Sequence, residues 1–195
     1  MTVFFTSDTH FRHKNIIKYD GRPYASSDEM TEALIKNWNL RIQPSDTVYH
    51  LGDVGVGRPE VLREILNRLN GKIFLIKGNH DDSATKPACK DRFEWIKDYH
   101  VAAFNGGVRI ILFHYALRVW DCCHHGSWHL YGHSHGRLPP EEGRLCLDIG
   151  VNSWNYFPLS LDEVNVEMGK IRPVPDSAKK PVSKEKSPRR TLPRI

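Results

Sequence analysis

The sequence feature that most constrains the fold is a short apolar run that ends abruptly in polar residues, repeated along the chain. Residues 3–7 are mostly apolar or β-branched, as in a strand, and they stop at Asp8-Thr9-His10. Similar runs precede the other polar groups, which contain Asp53, Asn79, His80, Asp81, His114, His133 and His135. Because helical segments separate several of these runs, the pattern predicts an α/β sheet protein whose polar strand ends gather at one edge.

The segments between the apolar runs predict four helices. They are expected to begin near Ser27, at Pro59, near Lys86 and after Ser160. The first and the last follow capping-box pairs, Ser26 with Glu29 and Ser160 with Glu163, in which side chains satisfy the free amides of the first turn. The third helix is expected to extend to about Lys97.

The excess positive charge of the chain lies at its C-terminal end. The 195 residues carry a formal net charge of +5. Residues 173–195 hold seven Lys or Arg against two acidic residues, so they account for the whole surplus and residues 1–172 sum to zero. This segment is rich in proline and poor in large apolar residues, so burial cannot offset the entropy of ordering it. We predict one domain over residues 1–172 and a basic, Pro-rich, disordered tail over residues 173–195. The tail is either a solvated extension or an electrostatic tether to nucleic acid.

Membrane and secretory features are not found in the sequence. No apolar run approaches the roughly 18 residues of a transmembrane helix, and the chain does not begin with the basic residues of a signal peptide. The four cysteines show no C-x-x-C spacing, which favours reduced thiols. We therefore expect a cytoplasmic protein without membrane contact, and the sequence predicts no particular oligomeric state.

The polar strand ends supply the ligand types that divalent cations use. Carboxylate, imidazole and amide oxygen ligands together suit Mn²⁺, Fe²⁺, Zn²⁺, Co²⁺ or Ni²⁺. Two such cations about 4 Å apart lower the pKa of a shared water, so that hydroxide is available to attack a phosphate ester. Taken singly, these residues are commonly turn formers, helix caps or surface histidines, but their joint order is not explained in that way. The candidate ligands are Asp8, His10, Asp53, Asn79, His114, His133 and His135.

In chain order these groups read D-x-H, G-D, G-N-H-D, H and G-H-x-H, and this order resembles the calcineurin-like metallophosphoesterase family. The opening of the chain, Phe5-Thr6-Ser7-Asp8-Thr9-His10-Phe11, is also similar to small phosphoesterases of bacteria and phages. The resemblance spans residues 1 to 170 and implies a four-layer α/β/β/α sandwich with a dinuclear metal site at the sheet edge, Mn²⁺ being the expected metal.

The same resemblance implies roles for the individual residues. The first metal would be held by Asp8, His10 and His135, the second by Asn79, His114 and His133, and Asp53 would bridge both. His80 would stand beside the metals, placed to protonate the leaving group or to stabilise phosphate charge. Asp81 would orient the ring of His80.

The residues that would bind substrate are less constrained by the sequence. His13, Arg58 and Asn79 are candidates because they lie in or near the motifs, although ordinary surface placement also explains His13 and Arg58. Residues 117–128 contain two Trp, two Cys and two His and could overhang the site. A zinc site there is disfavoured, because the adjacent Cys and adjacent His lack the gaps that zinc sites use. The tryptophans could stack on a nucleobase or simply be buried.

Three functions are compatible with these motifs. We favour a phosphodiesterase that acts on a nucleotide or another small phosphate ester. A phosphomonoesterase or protein phosphatase is the alternative, but protein phosphatases of the wider family tend to read G-D-x-x-D-R-G, whereas residues 52–58 here read Gly-Asp-Val-Gly-Val-Gly-Arg. A catalytically weak binding scaffold on the same fold is the third, and the presence of His80 beside all seven candidate ligands argues against it.

Overall fold

Two β-sheets face each other in the computed structural model, which describes residues 1–104, 107–139 and 141–171. The predicted tail at residues 173–195 lies outside the described residues. The strands are β1 Val3–Thr6, β2 Thr47–His50, β3 Lys72–Ile76, β4 Phe93–Lys97, β5 Tyr99–Ala103, β6 Arg109–Phe113, β7 Trp128–Tyr131, β8 Cys146–Asp148 and β9 Leu159–Ser160. The α-helices are α1 Lys14–Tyr19, α2 Ser27–Arg41, α3 Pro59–Asn67, α4 Pro87–Lys90 and α5 Leu161–Lys170. None of the described helices is long and apolar enough to cross a membrane.

The first sheet has the strand order β4-β3-β2-β1-β9, in which β1 to β4 are parallel and β9 is antiparallel. Its apolar core on one face is formed with helices α2 and α3, because each helix turns one apolar side inward. Met30 and Trp38 of α2 and Leu66 of α3 are buried there together with Phe4 and Val48 of the strands. The helices thereby fix the first sheet from one side.

The second sheet has the order β5-β6-β7-β8, with β6, β7 and β8 parallel. A second core cluster fills the space between the sheets, where Phe5 and Leu51 of the first sheet meet Ile110 and Leu130 of the second. Helix α5 adds Met168 to this cluster. The α/β sandwich predicted from the sequence is confirmed, and the carboxyl ends of both parallel sets of strands reach one edge.

The starts of the four predicted helices agree with the structure, whereas helix α1 was not predicted. Helix α2 begins at Ser27, with the amide of Glu29 donating to Ser26 Oγ (3.1 Å). Before α5, the Ser160–Glu163 capping box is complete in both directions.

The long helix predicted for residues 86–97 is wrong. Only Pro87–Lys90 are helical, and Phe93–Lys97 form the edge strand β4. This strand pairs in parallel with β3, and Phe93 is buried while Glu94 is exposed. Pairing along the open edge of β3 therefore outweighs the local helical preference, which is a common effect of tertiary contacts.

Candidate metal centre

The sequence-predicted ligands come together where strands of both sheets end. One ligand atom from each of Asp8, His10, Asp53 and His135 lies within 4.8 Å of the others. A second group with the same spacing consists of Asp53, His114 and His133. Asp53 belongs to both groups, so two candidate cation positions adjoin each other and share one carboxylate.

The loops that carry these residues have an unusual backbone. Five of the seven predicted ligands have a positive φ: Asp8 (57°), His10 (49°), Asp53 (57°), His133 (65°) and His135 (51°). Positive φ is uncommon outside glycine, although Asp and His tolerate it better than most residues. Such conformations persist where the surrounding structure over-determines them, and they cluster at functional sites.

The glycines of the motifs permit the close approach of neighbouring loops. A Cβ added at Gly132 would overlap Ser7 Oγ and lie 2.6 Å from Asp8 Oδ2. One added at Gly78 would overlap Asp53 Oδ1. The carboxylates of Asp8 and Asp53 thus occupy space that any side chain at these two positions would fill.

The Asp53 carboxylate divides its two oxygens between the two groups. Its Oδ2 lies 3.5 Å from His10 Nε2, and its Oδ1 lies 3.6 Å from His114 Nε2. The backbone amide of His80 also donates to Oδ1 (2.8 Å). Asp53 and His10 are both about 1% exposed, so this arrangement is fixed in the protein interior.

The second group has an amide oxygen within reach. Asn79 Oδ1 lies 3.1 Å from His114 Nε2. The hydroxyl of Tyr115 is 3.4 Å from the same oxygen, and its ring centroid is 4.6 Å from that of His133. Tyr115 was not predicted from the sequence; its position directly after His114 was the available clue.

Two observations indicate that the buried groups fit a cation. First, His10 Nε2 is buried and has no hydrogen-bond partner among the described residues, which is costly for a polar atom unless a ligand completes it. Second, burial raises the pKa of Asp8 to about 7, and the nearby carboxylates of Asp53 and Asp148 add to the rise. Burial shifts the histidine in the opposite direction: it lowers the pKa of His10, whose neutral form is the one that binds metals.

Asp81 was predicted to orient the ring of His80, but its carboxylate bonds to backbone amides instead. Its Oδ2 accepts hydrogen bonds from the backbone amides of Gly78 (2.7 Å) and Asp53 (2.9 Å), and its Oδ1 accepts one from Val54 (2.8 Å). The bonds from Asp53 and Val54 tie the loop after β3 to the loop after β2, and the bond from Gly78 closes the loop after β3 on itself. The buried Asp81 carboxylate therefore holds the backbone beneath Asp53 in place.

Buried residues behind the first group were also missed. Asp20 accepts a hydrogen bond from His135 Nδ1, and the Arg22 guanidinium donates to the backbone oxygens of Asp8 (2.8 Å) and Thr9 (3.1 Å). Burial alone would lower the pKa of His135, but its bond to Asp20 and the charge of Asp8 raise it. No spacing or strand pattern marks Asp20 and Arg22 in the sequence, because they lie in the turn after the short helix α1.

Of the residues predicted to contact the substrate, some lie at the rim of the site and one does not. The His80 ring lies 5.5 Å from that of His10 and 5.8 Å from that of His13, so both His80 and His13 line the rim of the site. Arg58 is exposed at the residue before α3, and within the described part of the chain it makes no hydrogen bond to the candidate ligands. The structure therefore gives Arg58 no support as a phosphate contact.

The loop of residues 117–127 does not overhang the site. Asp121 pairs with Arg109 at the start of β6 (3.1 Å), whereas His114 follows the other end of that strand. Trp120 is buried and donates to Ser127 O (3.2 Å), so it closes the loop against the sheet. Both candidate cation groups in the described residues lack cysteine, and all four cysteines are free.

Comparisons with known proteins agree on a family. The model of the calcineurin-like phosphoesterase superfamily domain matches residues 1–151. The chain is 35% identical over 178 residues to the uncharacterized protein MJ1445 of Methanocaldococcus jannaschii, and the match covers 87% of this chain and 93% of that protein.

Two further matches concern an enzyme and a solved structure. The glycerophosphodiester phosphodiesterase GpdQ of Enterobacter lignolyticus is 38% identical over 89 residues, which cover 43% of this chain and 31% of that enzyme. The crystal structure of the protein of unknown function AQ665 from Aquifex aeolicus superposes with a TM-score of 0.65 at 24% identity, covering 85% of this chain and 98% of that one. The latter likeness concerns the fold alone.

Proposed function

Because the chain belongs to the calcineurin-like phosphoesterase superfamily, we propose that it hydrolyses a phosphate ester at a centre for two divalent metal ions. Asp8, His10 and His135 would hold the first ion, Asn79, His114 and His133 the second, and Asp53 both. When bound, two such ions would activate water and polarise the phosphoryl group, and Mn²⁺ is the metal we would test first. The remaining steps of the reaction fall to side chains of the protein.

The observation that carries this proposal is the position of Asp53. Its two oxygens face different imidazoles at 3.5 and 3.6 Å, one in each candidate group. A carboxylate with this arrangement can bind one cation through each oxygen. A single-ion site would not need the second group, and a purely structural carboxylate would not leave His10 Nε2 without a partner.

His80 is the side chain we assign to proton transfer. It is exposed on the rim, and its backbone amide is anchored to Asp53 Oδ1 (2.8 Å), so its position is tied to the centre although its ring is free. An imidazole there can donate a proton to the departing alkoxide. His13, whose ring lies 5.8 Å from that of His80, would contact the substrate from the same side.

A phosphodiester is the substrate class that we propose, and a nucleotide or another small diester would suit it. The partial likeness to a glycerophosphodiester phosphodiesterase supports this choice, since the matched segment is 38% identical. Three of the predicted ligands, Asn79, His133 and His135, are not fully buried, and His80 beside them is exposed. An open rim of this kind leaves room for a group on both sides of the phosphorus.

The test is hydrolysis of bis(p-nitrophenyl) phosphate and p-nitrophenyl phosphate by metal-stripped protein before and after Mn²⁺ is restored. Turnover is expected only with metal and chiefly with the diester. Asp53→Asn should lower kcat/KM about 10³-fold, because loss of a shared carboxylate costs several kcal/mol of transition-state stabilisation. Its control is Asp28→Asn, which changes an exposed carboxylate.

His80→Ala should lower kcat about 10²-fold, the size of effect typical of a general acid, while Mn²⁺ binding stays unchanged. His124→Ala is the matched control, because His124 is an exposed histidine in the loop remote from the centre. Equal turnover of wild type and Asp53→Asn would contradict the proposal. Metal-dependent hydrolysis of the monoester alone would replace the diesterase with a phosphomonoesterase.

The basic residues 173–195 are proposed as an electrostatic tether to nucleic acid. Their surplus of five positive charges supports contact with the phosphates of nucleic acid. Binding of this kind weakens as the salt concentration rises. Deletion of residues 173–195 should remove salt-dependent binding to single-stranded DNA, measured by fluorescence anisotropy at 50 and 200 mM NaCl. Unchanged binding after the deletion would contradict the tether.

A further inference from the structure

Asp20 makes the contact that carries a further inference. Its Oδ2 accepts a hydrogen bond from Nδ1 of His135, while Nε2 of the same ring lies 3.7 Å from Asp8 Oδ1. The Asp20 side chain is about 2% exposed and that of His135 about 9%. We infer that Asp20 is a positioning residue, which fixes the ring and tautomer of His135 so that Nε2 can bind the first cation of the proposed centre.

The tautomer follows from the hydrogen bond. A neutral imidazole has one N–H and one lone pair, and an ionised carboxylate can only accept. With Asp20 opposite Nδ1, the proton of the neutral ring must reside on Nδ1, and the lone pair therefore lies on Nε2. Nε2 is the atom that faces Asp8. Carboxylates used in this way raise the basicity of a metal-binding histidine as well as orienting it.

Two arginines keep Asp20 itself in place. Arg137 donates to Asp20 Oδ1 (2.6 Å), and the buried Arg22 lies 3.6 Å from Asp20 Oδ2. Arg22 also donates to the backbone oxygen of Asp8 (2.8 Å). The ion network of Asp20 with these arginines thus contacts two candidate ligands of the same cation, Asp8 through its backbone and His135 through its ring.

His114, in the second candidate group, is supported differently. Its Nδ1 bonds to the backbone oxygen of Leu51 (2.7 Å), which no substitution of a side chain removes. For His135 the supporting group is a side chain and can be deleted without altering any ligand. This difference makes the inference testable at Asp20 alone.

The experiment measures Mn²⁺ binding to the metal-stripped full-length protein by calorimetry and by the electron paramagnetic resonance signal of free Mn²⁺. Asp20→Ala should weaken Mn²⁺ binding at the first cation position about 10–100-fold, the range seen when such supporting groups are removed. Asp28→Ala, which removes an exposed carboxylate paired with Arg12, should leave it unchanged. Asp20→Asn retains an acceptor oxygen and should fall between wild type and Asp20→Ala.

A double-mutant cycle separates positioning from a general structural effect. If Asp20 acts through His135, Asp20→Ala should weaken Mn²⁺ binding no further in a protein that already carries His135→Ala. Fully additive losses would overturn the inference, as would an unchanged first affinity in Asp20→Ala. Circular dichroism of each variant identifies any that fail to fold, and Asp20→Asn then takes the place of Asp20→Ala in the cycle.

A readout that needs neither metal nor turnover distinguishes this inference from the proposed function on which it rests. In ¹⁵N-histidine-labelled, metal-free protein, His135 should show a protonated Nδ1, and Asp20→Ala should shift the ring toward a mixture of tautomers. Absence of ester hydrolysis, with this shift present, would refute the phosphoesterase and leave the role of Asp20 standing. A His135 tautomer that is the same in wild type and Asp20→Ala would overturn that role.

Discussion

The two sheets supply candidate ligands to one site but hold them by different means. On the first sheet, Asp8 and Asp53 are buried, and backbone bonds join their loops: the amide of His10 donates to Asp53 O (2.9 Å), and that of Asp8 donates to Gly52 O (3.0 Å). On the second sheet, His133 is exposed and His135 is only partly buried. The amide of His133 donates to the Asp8 carboxylate (3.0 Å).

This difference shows that the second-sheet loop depends on the first sheet for its position. The first sheet holds its loops with its own groups, namely backbone bonds and the Asp81 carboxylate, so it presents two carboxylates at fixed positions. The second sheet anchors its loop on carboxylates, namely Asp8 from the first sheet and Asp148, which accepts from the amides of Gly136 (2.9 Å) and Gly150 (2.8 Å). Damage to the contact between the sheets should therefore displace the imidazoles of His133 and His135 before it displaces the carboxylates.

Among the substitutions that test this comparison of the two sheets, Gly132→Ala is expected to have the largest effect. The added Cβ would overlap Ser7 Oγ and press on Asp8 Oδ2, and both neighbours are buried. The loop with His133 must then shift, and a displacement of about 1 Å at a catalytic centre can cost about 10²-fold in rate. Overpacking should also lower the free energy of unfolding by about 1–3 kcal/mol.

Measurement of Mn²⁺-dependent ester hydrolysis and of urea unfolding tests this prediction. Gly169→Ala is the control, because a Cβ at Gly169 in α5 meets nothing within 4 Å. If Gly132→Ala kept full activity, the two sheets could not be as tightly joined at Asp8 as the structure indicates.

The ends of the first-sheet strands that carry candidate ligands were also the part that the sequence predicted best. The ends of β2 and β3 and the start of α3 match the apolar runs and Pro59, and all seven predicted ligands lie near one another. Each run ends at a glycine or polar residue. The local preference of these residues agrees with the structure that the whole fold requires, so the sequence pattern predicts where the strands end. What the sequence could predict was therefore the position of each candidate ligand along the chain.

The groups that support the ligands could not be predicted in this way. Asp20 and Arg22 contact the candidate ligands, and Asp148 contacts Gly136, across more than ten positions in the sequence. Strand β4 was mistaken for helix because its pairing with β3 is a tertiary contact. Asp81 was assigned to a neighbouring ring, whereas the backbone amides it contacts become visible only when two loops fold together.

Asp81→Asn should destabilise the protein more than Asp148→Asn. Asp81 accepts three backbone hydrogen bonds in the buried first-sheet loops and Asp148 accepts two at the second-sheet loop. Asparagine places an NH₂ group against an N–H donor at either position, which costs about 1–3 kcal/mol for a buried unsatisfied group. Urea unfolding should place Asp81→Asn near the upper end of this range and Asp148→Asn near the lower end. The reverse ranking would show that the second-sheet loop is the more firmly built of the two.

Two buried histidines that are not candidate ligands, one in each sheet, allow the pH dependence of the stability of the two sheets to be compared. His50 in β2 accepts from the amide of Gly52 (3.2 Å) and contacts Thr9 Oγ1 (2.9 Å), whereas His129 in β7 accepts from the amide of Leu117 (3.1 Å) and donates to Ile111 O (3.1 Å). Burial lowers the pKa of His50 to about 3 and that of His129 to about 4. Both rings are therefore neutral in the folded protein.

These lowered pKa values make the folded state less stable in acid. Between the unfolded pKa of about 6.5 and the lower folded pKa, the unfolded chain binds the additional proton, so stability falls as pH decreases through this range. From pH 7.5 to 5.5 each histidine should cost about 1.4 kcal/mol. Urea unfolding in EDTA should show that His50→Gln and His129→Gln each reduce the pH-dependent loss by this amount. Equal reductions would mean that the two sheets unfold as one unit, whereas a reduction in only one variant would mean that the other histidine is protonated while folded, or that its sheet opens separately.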